Sequence, residues 1–388
     1  MSHSAKAKKL ARLMNRQNEL PVPVTGRLSE LIGQNLTPEE MNFLLSMGCE
    51  PHTLEQARKK SGLPEAQFGS FFRNLVKKGY IYRPGSKNGQ ETFELMPIVV
   101  GWLEMQLCHG KETDIEKRFA HGLEGFFNSL SITNTFPVRH FENFIVKRFL
   151  KPYQTIAAAK PPDAAGRIEI NRDVAFTETR VSPLADAYEL VERNAATNSV
   201  AVMHCFCRQW RRLLGEPCRF HIRPETCVVI GDFARYIVDY DYGRSISKKE
   251  ALDILEETAK AGAVHTLYHE KDDVKLDYIA VCNCCWDCCG LYGGHNRGLL
   301  PLYFKSNFEA RITDAESCKG CKKCQKHCPV NAITVTHKKA AIKSELCIGC
   351  GQCSLQCPTN SIALFQNPRN VMVPLPSKAE ARIKSGKE

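Results

Sequence analysis

Eight cysteines arranged as two copies of one run constrain this chain more than any other feature of its sequence. The copies are displaced by 29 residues at every cysteine, and each ends in Cys-Pro. Three cysteines at two-residue gaps let one loop wrap a cubane, and the proline directs the fourth cysteine toward a second cluster. The runs are Cys318-x2-Cys321-x2-Cys324-x3-Cys328-Pro329 and Cys347-x2-Cys350-x2-Cys353-x3-Cys357-Pro358.

The duplicated spacing predicts two [4Fe–4S] clusters whose ligands cross between the runs. Two zinc sites are the alternative, but they rarely produce a duplicated run with both prolines. Residues 314–365 resemble a bacterial two-cluster ferredoxin domain, and this resemblance implies electron transfer. The predicted ligands are Cys318, Cys321, Cys324 and Cys357 for cluster I, and Cys347, Cys350, Cys353 and Cys328 for cluster II.

The charge of the cluster region departs from that of free bacterial ferredoxins, which are typically acidic. From residue 311 to the end, 13 Lys+Arg and 5 Asp+Glu give +8 of the chain's formal net charge of +11. Four of these lysines, Lys319, Lys322, Lys323 and Lys326, lie within the first run. The pattern predicts an acidic redox partner, within a larger redox complex, or a raised cluster potential. A solvated basic surface is the alternative.

Nine further cysteines lie between residues 205 and 289, several of them adjacent or two residues apart. Such spacing suits metal ligation better than disulfides. An additional iron–sulfur cluster is the favoured interpretation, with structural zinc and thiol–disulfide chemistry as alternatives. If residues 282–289 are helical, Cys284 and Cys288 share one face of the helix, and Cys285 and Cys289 share the next. The candidate ligands, from which the subset stays open, are Cys205, Cys207, Cys218, Cys227, Cys282, Cys284, Cys285, Cys288 and Cys289.

The string HCFCR…PC…C…GRSIS-x-x-EAL…GAVH…CNCC-x-x-CC resembles a family of iron–sulfur proteins from anaerobic microbes that are described as ferredoxin-like. The resemblance covers residues 180–365. Cys288-Cys289-Gly290 is also similar to the CCG motif of heterodisulfide reductases, although the widely spaced partner cysteines of that motif are absent from this sequence.

Residues 31–150 are poor in cysteine and show helical periodicity. The sequence predicts helices from Thr37, over 54–61 and from Pro64, followed by a hairpin over 80–95. This order resembles a winged-helix domain, which binds either DNA or proteins. If the domain binds DNA, the candidate phosphate contacts are Gln67, Ser70, Arg73, Asn74, Lys77, Arg83 and Lys87.

The predicted fold is a multidomain α+β chain. Its expected parts are a basic flexible N-terminus (1–30), a winged-helix domain (31–150), a linker (151–180), a central α/β cysteine-rich domain (181–300), a ferredoxin domain (301–370) and a tail (371–388). Within the central part, we predict a helix over 184–193, a strand over 199–203 and a helix capped by Ser247. The sequence contains no run of 18 apolar residues and no secretion signal, so a cytoplasmic location is expected.

Three functions follow as hypotheses. The first is an electron-transfer protein or subunit of a redox complex. The second is a redox- or iron-responsive DNA-binding regulator, and the third is an oxidoreductase that reduces a substrate at the central cysteines. The sequence has no nucleotide-binding glycine motif, so it gives no support for bound NAD, FAD or ATP.

Overall fold

The computed structural model of the chain describes residues 2–16, 22–87, 90–131, 153–156, 191, 199–268, 280–376 and 381–383. Its α-helices are α1 (His3–Asn15), α2 (Gly26–Gly33), α3 (Pro38–Met47), α4 (Leu54–Ser61), α5 (Glu65–Lys77), α6 (Leu103–Met105), α7 (Asp114–Ser131), α8 (Phe206–Leu213), α9 (Asp232–Asp239), α10 (Lys248–Ala261), α11 (Tyr292–Asn296), α12 (Lys323–His327) and α13 (Gln352–Leu355). A π-helix covers Ile98–Trp102, and a 3₁₀ turn covers Ser344–Leu346.

The strands are β1 (Ile81–Lys87), β2 (Gln90–Leu95), β3 (Tyr153–Ile156), β4 (Val200–His204), β5 (Glu225–Ile230), β6 (Gly243–Ser245), β7 (Val264–Tyr268), β8 (Ala280–Cys284), β9 (Leu302–Ile312), β10 (Ile333–Thr336), β11 (Lys339–Ile342) and β12 (Ile362–Val373).

The first compact unit comprises residues 1–135, 201–216 and 231–245. Its N-terminal part has the predicted order of helices α3, α4 and α5 followed by the antiparallel β1–β2 hairpin. Thr37 and Thr53 cap α3 and α4 through complete capping boxes, which explains why both helices begin where the sequence indicated. Phe72 packs edge-on against Phe43 and Phe93, so the core of this unit joins α3, α5 and the hairpin.

The second compact unit comprises residues 136–200, 217–230 and 246–388. Six of its described strands run in the order β12-β9-β3-β7-β8-β5, in which only the β3–β9 pair is parallel. Helix α10 begins at Ser247, whose side chain accepts a hydrogen bond from the Glu250 backbone, and it ends at the left-handed Gly262. Any Cβ at Gly262 would lie 2.2 Å from Nδ1 of His327, so this glycine permits α10 to contact the first cysteine run.

The domain division differs from the one expected. The central residues are shared between the two units, and the ferredoxin part forms one hydrophobic core with Val264, Trp286 and Cys289. Strand pairing explains the shared core. Strand β9 of the ferredoxin part pairs with β3, and β3 continues through β7 to β8, so one sheet crosses the boundary expected near residue 300.

Two expectations for irregular segments are wrong. His3–Asn15 is a helix with Ala7, Leu10, Ala11 and Met14 buried, so this part of the N-terminus is not a flexible segment. Tyr153–Ile156 lies in the expected linker but forms β3. The strand expected over 199–203 is present as β4, whereas the helix expected over 184–193, apart from the helical Val191, and most of the linker lie outside the described residues.

Candidate functional site

The two cysteine runs fold into equivalent loops, as their repeated sequence indicated. Gly320 and Gly349 occupy equivalent positions and both have positive φ, +63° and +66°. Lys322 and Gly351 are also equivalent, and each is a left-handed residue that caps the short helix after it, α12 or α13. The sequence repeat is therefore also a repeat of backbone conformation.

Each loop needs glycine because another segment passes close to it. A Cβ at Gly320 would lie 2.5 Å from Cα of Lys338, and one at Gly349 would lie 2.3 Å from the backbone oxygen of Phe308. Neither contact could be relieved by rotating a side chain. These glycines let the hairpin β10–β11 and strand β9 pack onto the loops.

Two cavities lie in this region, and each is lined by four cysteines drawn from both runs. The remaining lining is largely apolar, including Ile312 and Val335 in the first cavity and Ile333 and Ile348 in the second. The first cavity is lined by Cys318, Cys321, Cys324 and Cys357, and the second by Cys328, Cys347, Cys350 and Cys353. The structure thus brings together the two crossed sets that the spacing indicated.

Backbone N–H groups donate to the sulfurs of these cysteines. Ala332 N–H donates to Cys328 Sγ at 3.2 Å, and Ala310 N–H donates to Cys347 Sγ at 3.4 Å. Ser361 N–H donates to Cys357 Sγ at 3.3 Å. Such donors stabilise negative charge on sulfur and are one means by which a protein tunes a cluster's potential.

The pKa values of the thiols are shifted in different directions by their surroundings. Burial raises the pKa of Cys328 to about 11, against weaker opposing hydrogen bonds from Val330 and Ala332. Burial also acts to raise the pKa of Cys357, but hydrogen bonds from Thr359 and Ser361 outweigh it and lower that pKa. In the buried second cavity, a bound metal would have to displace protons from the thiols.

The two cavities also differ in exposure. Cys321 is exposed and Cys318 is half-buried, whereas the four cysteines of the second cavity are all buried. Exposed lysines, Lys319 and Lys322, line the first cavity itself. The first cavity is therefore the one closer to solvent, and exposed lysines lie beside it.

The nine central cysteines are distributed over both units. Cys205 and Cys207 belong to the first unit, at the start of α8, where a hydrogen bond to Cys207 and burial raise the pKa of Cys205. In the second unit, Cys227 lies on β5, Cys282 and Cys284 lie on β8, and Cys289 is part of the large core. The conditional helix over 282–289 is wrong, because strand β8 ends at Cys284 and turns follow it.

Three central cysteines come together with a carboxylate that the sequence analysis missed. One ligand atom from each of Cys218, Cys285, Asp287 and Cys288 lies within 4.8 Å of the others, and all four residues are buried. The Sγ atoms of Cys218 and Cys285 are 3.5 Å apart. Asp287 could have been found from its position between the pairs Cys284-Cys285 and Cys288-Cys289. An acidic side chain that is buried with such cysteines needs a partner for its charge.

The outer face of helix α5 and the hairpin contact an acidic segment of the same unit. Lys77 Nζ lies 2.6 Å from Asp241, and Arg83 Nη2 lies 2.7 Å from Asp239. The guanidinium of Arg73 lies over the ring of Tyr240, 5.8 Å from its centroid. Three of the candidate phosphate contacts thus have partners in this segment.

Comparison with known families bears on the cysteine repeat. Residues 310–358 match the family described as 4Fe-4S dicluster domain. The chain therefore carries a ferredoxin-type iron–sulfur domain there, and this domain supports a role in electron transfer. No curated protein and no solved structure matched the chain. In the described part of the chain, no helix is long and apolar enough to cross a membrane.

Proposed function

We propose that this protein transfers electrons through two [4Fe–4S] clusters, as a carrier or as a subunit of a larger redox complex. Cluster I would be held by Cys318, Cys321, Cys324 and Cys357, and cluster II by Cys328, Cys347, Cys350 and Cys353. The observation that carries the proposal is the pair of cavities, each lined by one of these crossed sets of four. When bound, each cluster would supply a site that accepts and releases an electron.

The surroundings of the two cavities fit such clusters. Their thiolates would offset the positive charge of iron, and apolar residues such as Ile312 and Ile348 make up much of the remaining lining. The N–H donors of Ala310, Ala332 and Ser361 would stabilise the added negative charge of a reduced state.

Electron exchange with a partner is proposed to take place at cluster I. Its ligand Cys321 is exposed, and the adjacent Lys319, Lys322 and Lys323 are exposed as well. A surface of this charge favours docking of an acidic protein and accelerates the encounter at low ionic strength. Cluster II would pass electrons to or from cluster I without contacting the partner.

The two other hypotheses have less support from the contacts. For a DNA-binding regulator, Arg73, Lys77 and Arg83 would first have to leave Tyr240, Asp241 and Asp239. For substrate reduction at the compact group of central cysteines, a substrate would have to reach Cys285, whose side chain is fully buried. We therefore propose neither.

The test is metal and sulfide analysis of the anaerobically purified full chain. We expect about eight irons and eight sulfides per chain, the content of two cubanes. A chain that contains stoichiometric zinc at these cysteines and almost no iron would overturn the proposal.

Paired variants test the crossing of the ligands. Cys328→Ser combined with Cys350→Ser removes two ligands of cluster II alone, so about four irons should remain. Cys324→Ser combined with Cys328→Ser removes one ligand from each cluster, and we expect both clusters to be lost. If the first pair instead lost both clusters and the second pair kept about four irons, each run would hold its own cluster.

A further inference from the structure

We propose that Cys218, Cys285, Asp287 and Cys288 bind one tetrahedral divalent metal ion, for which Zn²⁺ is the best-fitting occupant. Thiolate and carboxylate are both ligands that zinc accepts in proteins. The ligands come from two places, the loop after α8 and the turn after β8. This site is separate from the two cavities of the cysteine repeat.

The compactness of the group favours a single ion over a further cluster. With zinc–sulfur bonds of about 2.3 Å, a tetrahedral site places its sulfurs about 3.8 Å apart. The Cys218–Cys285 Sγ separation is 3.5 Å, and all four ligand atoms lie within 4.8 Å of one another. In a cubane each thiolate binds a different iron, so the sulfurs lie farther apart. Among the described residues, the eight cysteines of the repeat form no group as compact as this one.

The carboxylate of Asp287 gives independent support for a bound cation. Its side chain is buried, and Oδ2 accepts a hydrogen bond of 2.7 Å from the backbone N–H of Arg219. Its second oxygen, Oδ1, is buried without a hydrogen-bond partner in the described structure. Leaving a carboxylate oxygen in this state is costly, and ligation of a metal ion removes that cost.

The burial of all four ligands indicates a structural role. Catalytic zinc sites keep one position open for water or substrate, whereas structural sites are closed by four protein ligands. Here Cys285 is fully buried, and Cys218, the most exposed ligand, is only 8% exposed. The ion would therefore fix the two chain segments and leave no position for a substrate.

The segment that the ion would fix supports the first cysteine run. Trp286 lies between two of the ligands, and its Nε1–H donates to the backbone oxygen of Lys326 in α12 at 2.9 Å. Asn296 Nδ2 donates both to the Trp286 backbone oxygen and to that of Pro329. The turn also passes close to α11, because a Cβ at Gly293 would lie 2.4 Å from the Asp287 backbone oxygen. The ion would hold this turn in the position that these contacts require.

The test measures both metal and sulfide in the full chain. The proposed ion brings no sulfide, so its presence can be judged independently of the two clusters. We expect one equivalent of zinc, or of iron without sulfide, in addition to the iron that is matched by sulfide. X-ray absorption at the zinc edge should show three sulfurs and one oxygen. Cys285→Ser should lose this ion and keep the sulfide content, whereas the matched control Cys289→Ser should keep both.

A second variant keeps the test decisive if Cys285→Ser does not fold. Asp287→Asn preserves the shape of the side chain but removes its charge, and we expect zinc to be held at least tenfold less tightly against a chelator. Additional sulfide that disappears in Cys285→Ser would overturn the proposal in favour of a third cluster. Unchanged zinc affinity in Asp287→Asn, or wild-type protein with no metal beyond its clusters, would also overturn it.

Discussion

Some of the proposed metal ligands could be predicted from the sequence, and others could not. The eight cysteines of the repeat could be assigned in advance because their spacing is set by the geometry of a cubane. The ligands Cys218 and Asp287 could not be selected, because they meet Cys285 and Cys288 only through tertiary contacts. Nine thiols without a repeated spacing left many subsets equivalent.

Glu309 is a second residue that the sequence did not single out. Its buried carboxylate accepts hydrogen bonds from Ser344 and Asn367 at 2.8 Å, and it is ion-paired with Arg311 and Arg369. Hydrogen bonds from Ser344, Asn367 and Arg311 lower the pKa of Glu309 to about 2, although burial opposes them. Arg369 in turn donates to the backbone oxygen of Cys347 at 2.8 Å, so Glu309 orients a contact to a proposed ligand of cluster II.

We predict that Glu309→Gln lowers the free energy of unfolding by about 1.5–3 kcal/mol, the range for hydrogen bonds to a charged group. The pKa of Glu309 is lower in the folded chain than the unfolded value of about 4.3, so its stabilisation is present above that pH. It is lost as the pH falls toward 2. Anaerobic denaturation should therefore give the same difference between wild type and variant from pH 6 to 8. A difference that changes across this range would contradict the role of the ionised carboxylate.

At the scale of elements, helices with capping residues were predictable and the first helix was not. Thr37 and Ser247 mark starts that the structure reproduces, because caps act locally. Helix α1 carries its buried residues at i, i+3, i+4 and i+7, starting from Ala7. Its many lysines concealed this pattern, and its stability comes from packing, which composition does not report.

The loops of the repeat give a prediction about glycine. Gly349→Ala should prevent cluster II from being held, because the added Cβ would lie 2.3 Å from the Phe308 oxygen at a positive φ. We expect iron to fall to about half of the wild-type content. The matched control is Gly298→Ala, which has a similar φ of +74° but whose nearest atom would lie 3.9 Å away. If both variants lost iron equally, the cause would be backbone strain at positive φ and not the contact with Phe308.

The contacts of α5 and β1 give a prediction about nucleic acid. Because Arg73, Lys77 and Arg83 already contact Tyr240, Asp241 and Asp239, we expect the wild-type chain not to be retained on DNA at low salt. Asp239→Asn with Asp241→Asn removes the acidic partner of Lys77 and one of the two acidic partners of Arg83, and it serves as the comparison. Salt-sensitive retention of the wild-type chain would restore the regulator hypothesis.

At the scale of the whole molecule, local sequence patterns predicted the class of protein but not its division into units. The α+β class and the iron–sulfur domain follow from local patterns, and the family match supports the latter. The division does not, because strands β3, β7 and β8 join residues far apart in the chain to the ferredoxin part. Strand pairing of this kind leaves no mark at a single position in the sequence.

The uneven charge of the molecule predicts how it exchanges electrons. Lys319→Gln with Lys322→Gln should slow oxidation of the reduced protein by ferricyanide, an anion, and accelerate oxidation by cobalt hexaammine, a cation. Both effects should shrink as ionic strength rises. Lys8→Gln with Lys9→Gln removes the same charge from an exposed surface of α1 and should change neither rate. If the two double variants behave alike, the lysines beside cluster I do not determine where electrons are exchanged.

An anaerobic reductive titration of the full chain tests whether this chain carries electrons on two clusters. We predict uptake of about two electrons per eight irons, with electron paramagnetic resonance of reduced [4Fe–4S] clusters, and full recovery of both electrons on reoxidation. A chain that takes up no electrons although it holds its metal would contradict the account.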